Sequence, residues 1–168
     1  MKLWKTLEEK LGKDSKKMYV ARTLFQYGLR IVNEEIRLGD IKIPYTSLAK
    51  ALGVDRRTVK ETLKIISEDP FLRKFFEKLE NAGPFLRSVS RLLGYRCLVV
   101  EVYEDKPGIL ARIASSLAKY NINIVQVIAE DPNLVENPKL YIIVSGNIPG
   151  ETLNEILYNS NVKQVTIF

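Results

Sequence analysis

The sequence contains no histidine, a single cysteine and no long uncharged apolar run. Each absence narrows the chemistry. Without histidine there is no imidazole base, which excludes the triads and dyads built on one. Cys97 alone cannot close an internal disulfide, and zinc sites draw on several Cys or His ligands. Set in the apolar run "RCLVVEV", it reads as a small buried hydrophobe. No pair of carboxylates falls in a catalytic pattern, so the chain is expected to be no enzyme and to need no cofactor or metal. No stretch approaches the ~18 apolar residues of a membrane span. The opening "MKLWKTLEEKLGK" is charged where a secretory leader would be apolar. A cytoplasmic protein without a membrane partner is expected.

What the sequence does have is charge, unevenly spread. The net charge is +6 over 168 residues. Residues 1–96 hold 21 Lys+Arg against 12 Asp+Glu, whereas residues 97–168 hold 5 against 8. A basic half joined to a mildly acidic half implies two domains with different partners, the first suited to a polyanion. A solvated basic surface of the kind seen in many thermophile proteins is the alternative.

Along the chain, Leu3, Trp4, Leu7 and Leu11 predict an amphipathic helix over residues 1–11. A second is expected from about Ser15 to Tyr27, ended by Gly28. Between Leu29 and Ile43, the turn pairs Asn33-Glu34 and Gly39-Asp40 separate β-branched pieces and predict small strands. A continued helix through Leu38 is the rival reading. The stretch "IPYTSLAKALGVDRRTVKETLKII" then predicts two short helices. The first is broken from the chain by Pro44 and capped by Thr46. Gly53 turns the chain, and Asp55 caps a second helix to about Ser67. Two helices so joined make a helix-turn-helix. Leu48, Leu52, Val54 and Val59 fill its core positions, with small Ala49 at the close approach. Thr62 falls where such units are usually apolar.

The second of these helices offers Arg56, Arg57, Thr58, Lys60 and Lys64, together with Glu61, on its outer face. A recognition helix points such a basic first turn into the major groove, with Arg reading guanine edges and Lys or Thr holding phosphates. These five basic and hydroxyl residues are the candidate DNA contacts. A helical hairpin with a merely solvated face, or one used for protein contact, is the competing reading. Residues 70–96 predict two further helical segments, "FLRKFFEKLE" and "PFLRSVSRLLG", acting as a connector. The stripe Phe71, Phe75, Phe76 and Leu79 is expected to pack on the basic domain or to pair a dimer.

From Cys97 the pattern becomes βαββαβ: strand "CLVVEVYE", helix Gly108–Tyr120, strands "NIVQVIAE" and "KLYIIVSG", helix "GETLNEILYNS" and strand "VKQVTIF". Two helices should cover one face of a four-stranded antiparallel sheet in the ferredoxin-like arrangement. The other face or an edge then needs cover, from a dimer partner or the first half. The fold expected is therefore α+β: a helical basic domain at 1–69, a helical linker at 70–96 and a ferredoxin-like domain at 97–168. At the first strand-to-helix corner, Pro107 removes an amide and Gly108 leaves the backbone approachable. The amides of Ile109 and Leu110 there suit a carboxylate. Asp105 could accept from an ammonium group, and the amides of Asn121 and Asn123 offer donors and acceptors. Pro149-Gly150 also begins a helix, so the dipeptide alone marks only a helix start, and a simple helix end is the alternative reading of Asn121.

The stretch "DKPGILARIASSLAKYNINIVQV" resembles the ACT domain, a ferredoxin-like module that binds amino acids. The resemblance implies a ligand site at a D/N-x-P-G-x-L loop, matched by Asp105, Gly108, Ile109 and Leu110. An Asn at the start of the next strand, matched by Asn123, completes it, often across a dimer interface. Tyr103 stands near the loop where some serine-binding members have histidine. The segments "GDIKIP", "VDRRTVKETLKII", "AEDPNLVENPKLYIIVSGNIPG" and "VKQVTIF" further resemble an archaeal group of predicted regulators of amino-acid metabolism with a helix-turn-helix region and an ACT domain. That resemblance implies a ligand-responsive transcription regulator, with a small amino acid as effector, DNA as partner and a homodimer or higher oligomer formed through the ACT domains. The alternative function is a sensor subunit that regulates a biosynthetic enzyme through protein contact.

Overall fold

The computed structural model describes residues 2–158 and 161–168, which form two compact units, Met1–Gly83 and Pro84–Phe168. The expected connector, residues 70–96, is divided between them. The fold is α+β, with a mostly helical first unit and a βαββαβ second unit.

In the first unit, α1 (Lys2–Leu11) buries Leu3, Leu7 and Leu11. The helical spacing of apolar residues continues in α2 (Lys16–Gln26), whose N-cap Ser15 accepts the Met18 amide through its side chain and which buries Met18, Val20, Ala21 and Leu24. The strands β1 (Arg30–Val32), β2 (Glu35–Leu38) and β3 (Ile41–Ile43) form an antiparallel meander. Asn33 and Glu34 both take positive φ, 51° and 60°, as the tight hairpin turn between β1 and β2 requires. Register places Ile31, Ile36 and Ile43 in one row, with Ile31 and Ile36 buried. This is the strand reading, not the continued helix.

Helices α3 (Tyr45–Leu52) and α4 (Arg56–Glu68) follow, joined through Gly53 in the left-handed region. Thr46 does not cap α3. Pro44 occupies the N-cap position, without a side-chain hydrogen bond, because the helix begins two residues earlier than a Thr46 cap would require. Asp55 does cap α4, accepting the Arg57 amide at 2.6 Å. Thr62 is fully buried and its hydroxyl donates to the Thr58 carbonyl at 2.8 Å. The polar atom is thereby satisfied within the helix while the methyl group joins the core. Helix α5 (Pro70–Glu77) is capped by Asp69 and buries Leu72 and Phe76. Phe75 stacks on Phe25 with ring centroids 6.2 Å apart, and Phe25 meets Trp4 edge-on at 5.3 Å. The aromatic stripe therefore packs into the first unit's own core.

In the second unit the strands are β4 (Tyr95–Val102), β5 (Ile124–Ala129), β6 (Leu140–Ser145) and β7 (Val162–Ile167). They lie in the order β5-β6-β4-β7, all antiparallel, the ferredoxin-like topology. Helices α6 (Ile109–Lys119) and α7 (Gly150–Tyr158) cover one face around Leu98, Val100, Ile113, Leu117, Ile142, Val144 and Ile156. Residues 159 and 160, expected to extend α7, lie outside the described residues. Ser116 is buried between the helices, where its hydroxyl donates to Glu155 at 3.2 Å.

The opposite sheet face carries Cys97, Val99, Tyr141 and Ile143. Burial pushes the Cys97 thiol up from its ordinary pKa, in keeping with a small apolar core residue. The segment "PFLRSVSRLLG" does not form the expected helix. It makes two short 3-10 turns, Arg87–Val89 and Arg91–Leu93, because its beginning lies along this face instead. Phe85 meets Tyr141 edge-on at 4.8 Å, and the Arg87 guanidinium sits 4.5 Å from the Phe168 ring centroid.

Candidate functional site

Two surfaces hold the residues singled out from the sequence. The first is the outer face of α4. Its inner face buries Val59, Thr62, Leu63 and Ile66. With 3.6 residues per turn, Arg56, Lys60 and Lys64 then fall in one exposed row. Arg56 and Lys60 have no carboxylate partner among the described residues. Lys64 lies 3.8 Å from Glu68. Arg57 is 85% exposed along its side chain, yet its Nε donates to Glu61 at 2.9 Å. Thr58 is only half-buried and lends its carbonyl to Thr62. Glu61, expected as another exposed polar residue, proves to be shared. Its second oxygen binds Lys17 of α2 at 2.8 Å. The Lys17 bond, then the Arg57 bond, hold the Glu61 carboxyl below the ordinary carboxylate range. Lys17 was not singled out from the sequence, because nothing local in "DSKKMYV" shows which helix α2 will lie beside.

The second surface is the corner after β4. Gly108 takes φ +95°, and a Cβ added there would meet nothing within 4 Å. Its left-handed backbone, not crowding, is what demands glycine. No side chain caps α6, unlike α2, α4 and α5. Asp105, Pro107 and Gly108 are exposed, and Ile109 is buried under the helix. Leu110 is 42% exposed. The corner is tied to β7: the Tyr103 amide donates to the Asn161 carbonyl at 2.9 Å, and the Asn161 side chain donates to the Glu104 carbonyl. Tyr103 itself is 75% exposed.

The asparagines sit elsewhere. Asn121 has φ +54° and its amide donates to the Ala118 carbonyl, so it closes the C-terminal end of α6. Asn123 is exposed, and its carbonyl accepts the Ser145 amide at 2.9 Å. Register fixes its distance from the corner. Ile124 pairs with Val144, which pairs with Arg96, whereas the corner follows Val102. Six residues of strand separate these levels, roughly 20 Å at 3.3 Å each. Within one chain, therefore, Asn121 and Asn123 lie at one end of the sheet and Asp105 to Leu110 at the other.

Strand β5, at the sheet edge, reads IVQVIA. It carries no charge and no proline, the usual protections of an exposed edge. Among the described residues, no three His, Cys, Asp or Glu side chains converge as metal ligands would, and no helix is long and apolar enough to cross a membrane.

No known family pattern matches the chain, and no curated protein matches it. Among solved structures it is similar to a transcriptional regulatory protein from Pyrococcus furiosus, a member of the ASNC family. That likeness has 18% identity and a TM-score of 0.28, covering 92% of this chain and 87% of that one. It is also similar to the protein PH0061, at 16% identity and a TM-score of 0.27, covering 90% and 88%. Likenesses this distant carry no functional argument, which rests on the chain's own residues.

Proposed function

We propose that the chain is a ligand-responsive regulator of amino-acid metabolism, binding DNA through its first unit and a small amino acid through its second. The observation that carries the DNA reading is the row Arg56, Lys60 and Lys64 on α4, whose opposite face is packed. Such a row suits phosphate and base-edge contact, with Arg57 and Thr58 beside it in the first turn. Affinity should fall steeply with salt as counterions are released.

In this reading the second unit is an ACT domain and works as a dimer. The corner at Asp105, Pro107, Gly108, Ile109 and Leu110 supplies backbone amides for a carboxylate, and Asp105 takes the ammonium group. Asn123 completes the site from the second copy. Ala129 stands level with Val100, through Leu140, near the corner's end of the sheet. Antiparallel pairing of β5 with its symmetry mate would thus carry the mate's Asn123 toward that corner. The uncharged edge of β5 favours this pairing. Ligand shifts the regulator only to the extent that it binds one dimer state better than the other.

Binding of a labelled duplex from the chain's own promoter region tests the first half, by fluorescence anisotropy at several salt concentrations. Arg56→Ala and Lys60→Ala should each weaken binding and flatten the salt dependence by about one counterion. Unchanged binding in both would remove α4 from the DNA reading. A thermal-shift screen of the twenty amino acids tests the second, since a ligand of the native state raises Tm. The stabilising amino acid should lose its effect on Asn123→Ala. The second reading, docking to a biosynthetic enzyme, is favoured by exposed Ile41 and Tyr45 beside the same helices. It predicts co-purification with that enzyme and only weak, sequence-independent DNA binding.

A further inference from the structure

The Lys17–Glu61–Arg57 contact joins two helices through one carboxylate. Each oxygen of Glu61 serves a different cation: Oε2 meets Lys17 Nζ at 2.8 Å and Oε1 meets Arg57 Nε at 2.9 Å. Two cations on separate elements are thereby held at the spacing of a single bidentate oxyanion. Glu61 is 42% exposed along its side chain and Lys17 is 32% exposed, so an anion from solvent can reach the same place. A phosphate offers two oxygens at nearly the spacing of a carboxylate pair, and it is bound by Lys and Arg in the same way.

Resting on the DNA reading of α4, we propose that Lys17 and Arg57 form a cradle for a backbone phosphate, which Glu61 occupies in the free protein. Lys17 then adds a contact from α2 to those of α4. Glu61 is the competitor that phosphate must displace, and it lowers affinity for any anion too weak to do so. Each existing ion pair is solvent-exposed and individually weak, which makes exchange feasible.

Anisotropy with a duplex at several salt concentrations reads the cradle in wild type, Lys17→Ala, Glu61→Gln and the double variant. Lys17→Ala should lower the slope of log affinity against log salt by about 1. Glu61→Gln should tighten binding about three- to tenfold, the scale of one or two surface ion pairs. Glu68→Gln, on the same helix and facing Lys64, controls for loss of a negative charge in general. Its gain should be smaller, and the Glu61→Gln gain should vanish when Lys17 is also replaced. Equal gains for the two Gln variants, or an unchanged slope for Lys17→Ala, would overturn the cradle. If at the same time Arg56→Ala and Lys60→Ala lose binding, the DNA reading survives that failure. A second arm titrates inorganic phosphate into Glu61→Gln and follows the Arg57 Nε resonance by NMR. A shift that Lys17→Ala abolishes supports the cradle even where no duplex binds, and assigns it to a free phosphate instead. No shift overturns it, even where α4 binds DNA.

Discussion

Gln126 holds Leu86. Its Oε1 accepts the Leu86 amide at 3.1 Å, and its Nε2 donates to the Pro84 carbonyl at 2.9 Å. The side-chain amide thus takes the place of a neighbouring strand for the segment that opens the second unit. Phe85 on Tyr141 and Arg87 over Phe168 hold the same segment. Two hydrogen bonds at about 1 kcal/mol each predict that Gln126→Ala costs roughly 1–2 kcal/mol. Amide exchange at Leu86 should accelerate about tenfold or more, in line with that loss. An unchanged exchange rate would mean that the aromatic contacts alone fix the segment.

Asp69 caps α5 by accepting the amides of Phe71 at 3.0 Å and Leu72 at 2.9 Å, and it meets Lys10 at 3.2 Å. The Leu72 amide, above all, holds its carboxyl below the ordinary range, with Lys10 adding to this. A depressed folded-state pKa means the unfolded chain binds the proton more tightly. The contribution is therefore present above pH ~4 and lost as pH falls toward the folded-state value. Asp69→Ala should cost about 1 kcal/mol near neutrality. Asp69→Asn keeps a capping oxygen but removes this part of the acid loss. Denaturant unfolding of the three proteins near pH 7 and near pH 3 checks it. A wild type and an Asn variant that lose stability in parallel would refute the assignment.

Thr62 tests how far a polar atom in the first unit's core is structural. Its hydroxyl bonds only to a carbonyl of its own helix, an acceptor that does not depend on it. Thr62→Val retains the shape and removes the polar atom. It should be neutral or stabilising by up to about 1 kcal/mol, read as a shift in the denaturation midpoint. A loss of stability beyond about 1 kcal/mol would show that the hydroxyl has a larger role.

Local rules made much of the architecture legible. The helical spacing of Leu3, Leu7 and Leu11 announced α1, and Asn33-Glu34 and Gly39-Asp40 announced the meander. Asp55 announced the start of α4 through its cap. What stayed hidden depends on which elements meet. The turn segment at 87–93 has helical spacing, but its neighbours Phe85 and Leu86 are drawn onto a sheet face that only the completed fold creates. Asn123 follows Asp105 by one helix in sequence, yet that helix carries it to the far end of the sheet. Lys17 and Glu61 meet only because α2 lies beside α4. The candidate site was thus readable as residues and not as a constellation.

Gly108 combines a backbone role with a proposed ligand role, and substitution can separate them. Its φ of +95° is one that side chains rarely adopt, while the space around it is open. Gly108→Ala should therefore destabilise the protein by about 1–2 kcal/mol with no ligand present, from strain and not from a clash. Asn123→Ala, at an exposed position whose carbonyl makes the fold's contact, should leave stability within about 0.5 kcal/mol. Thermal melts of both variants, with and without the stabilising amino acid, distinguish the roles. If both lose the ligand-induced shift while only Gly108→Ala melts lower without ligand, the two residues share a ligand site across the dimer. If Asn123→Ala retains the full shift, the site does not extend to that strand, and the corner binds its ligand from one chain alone.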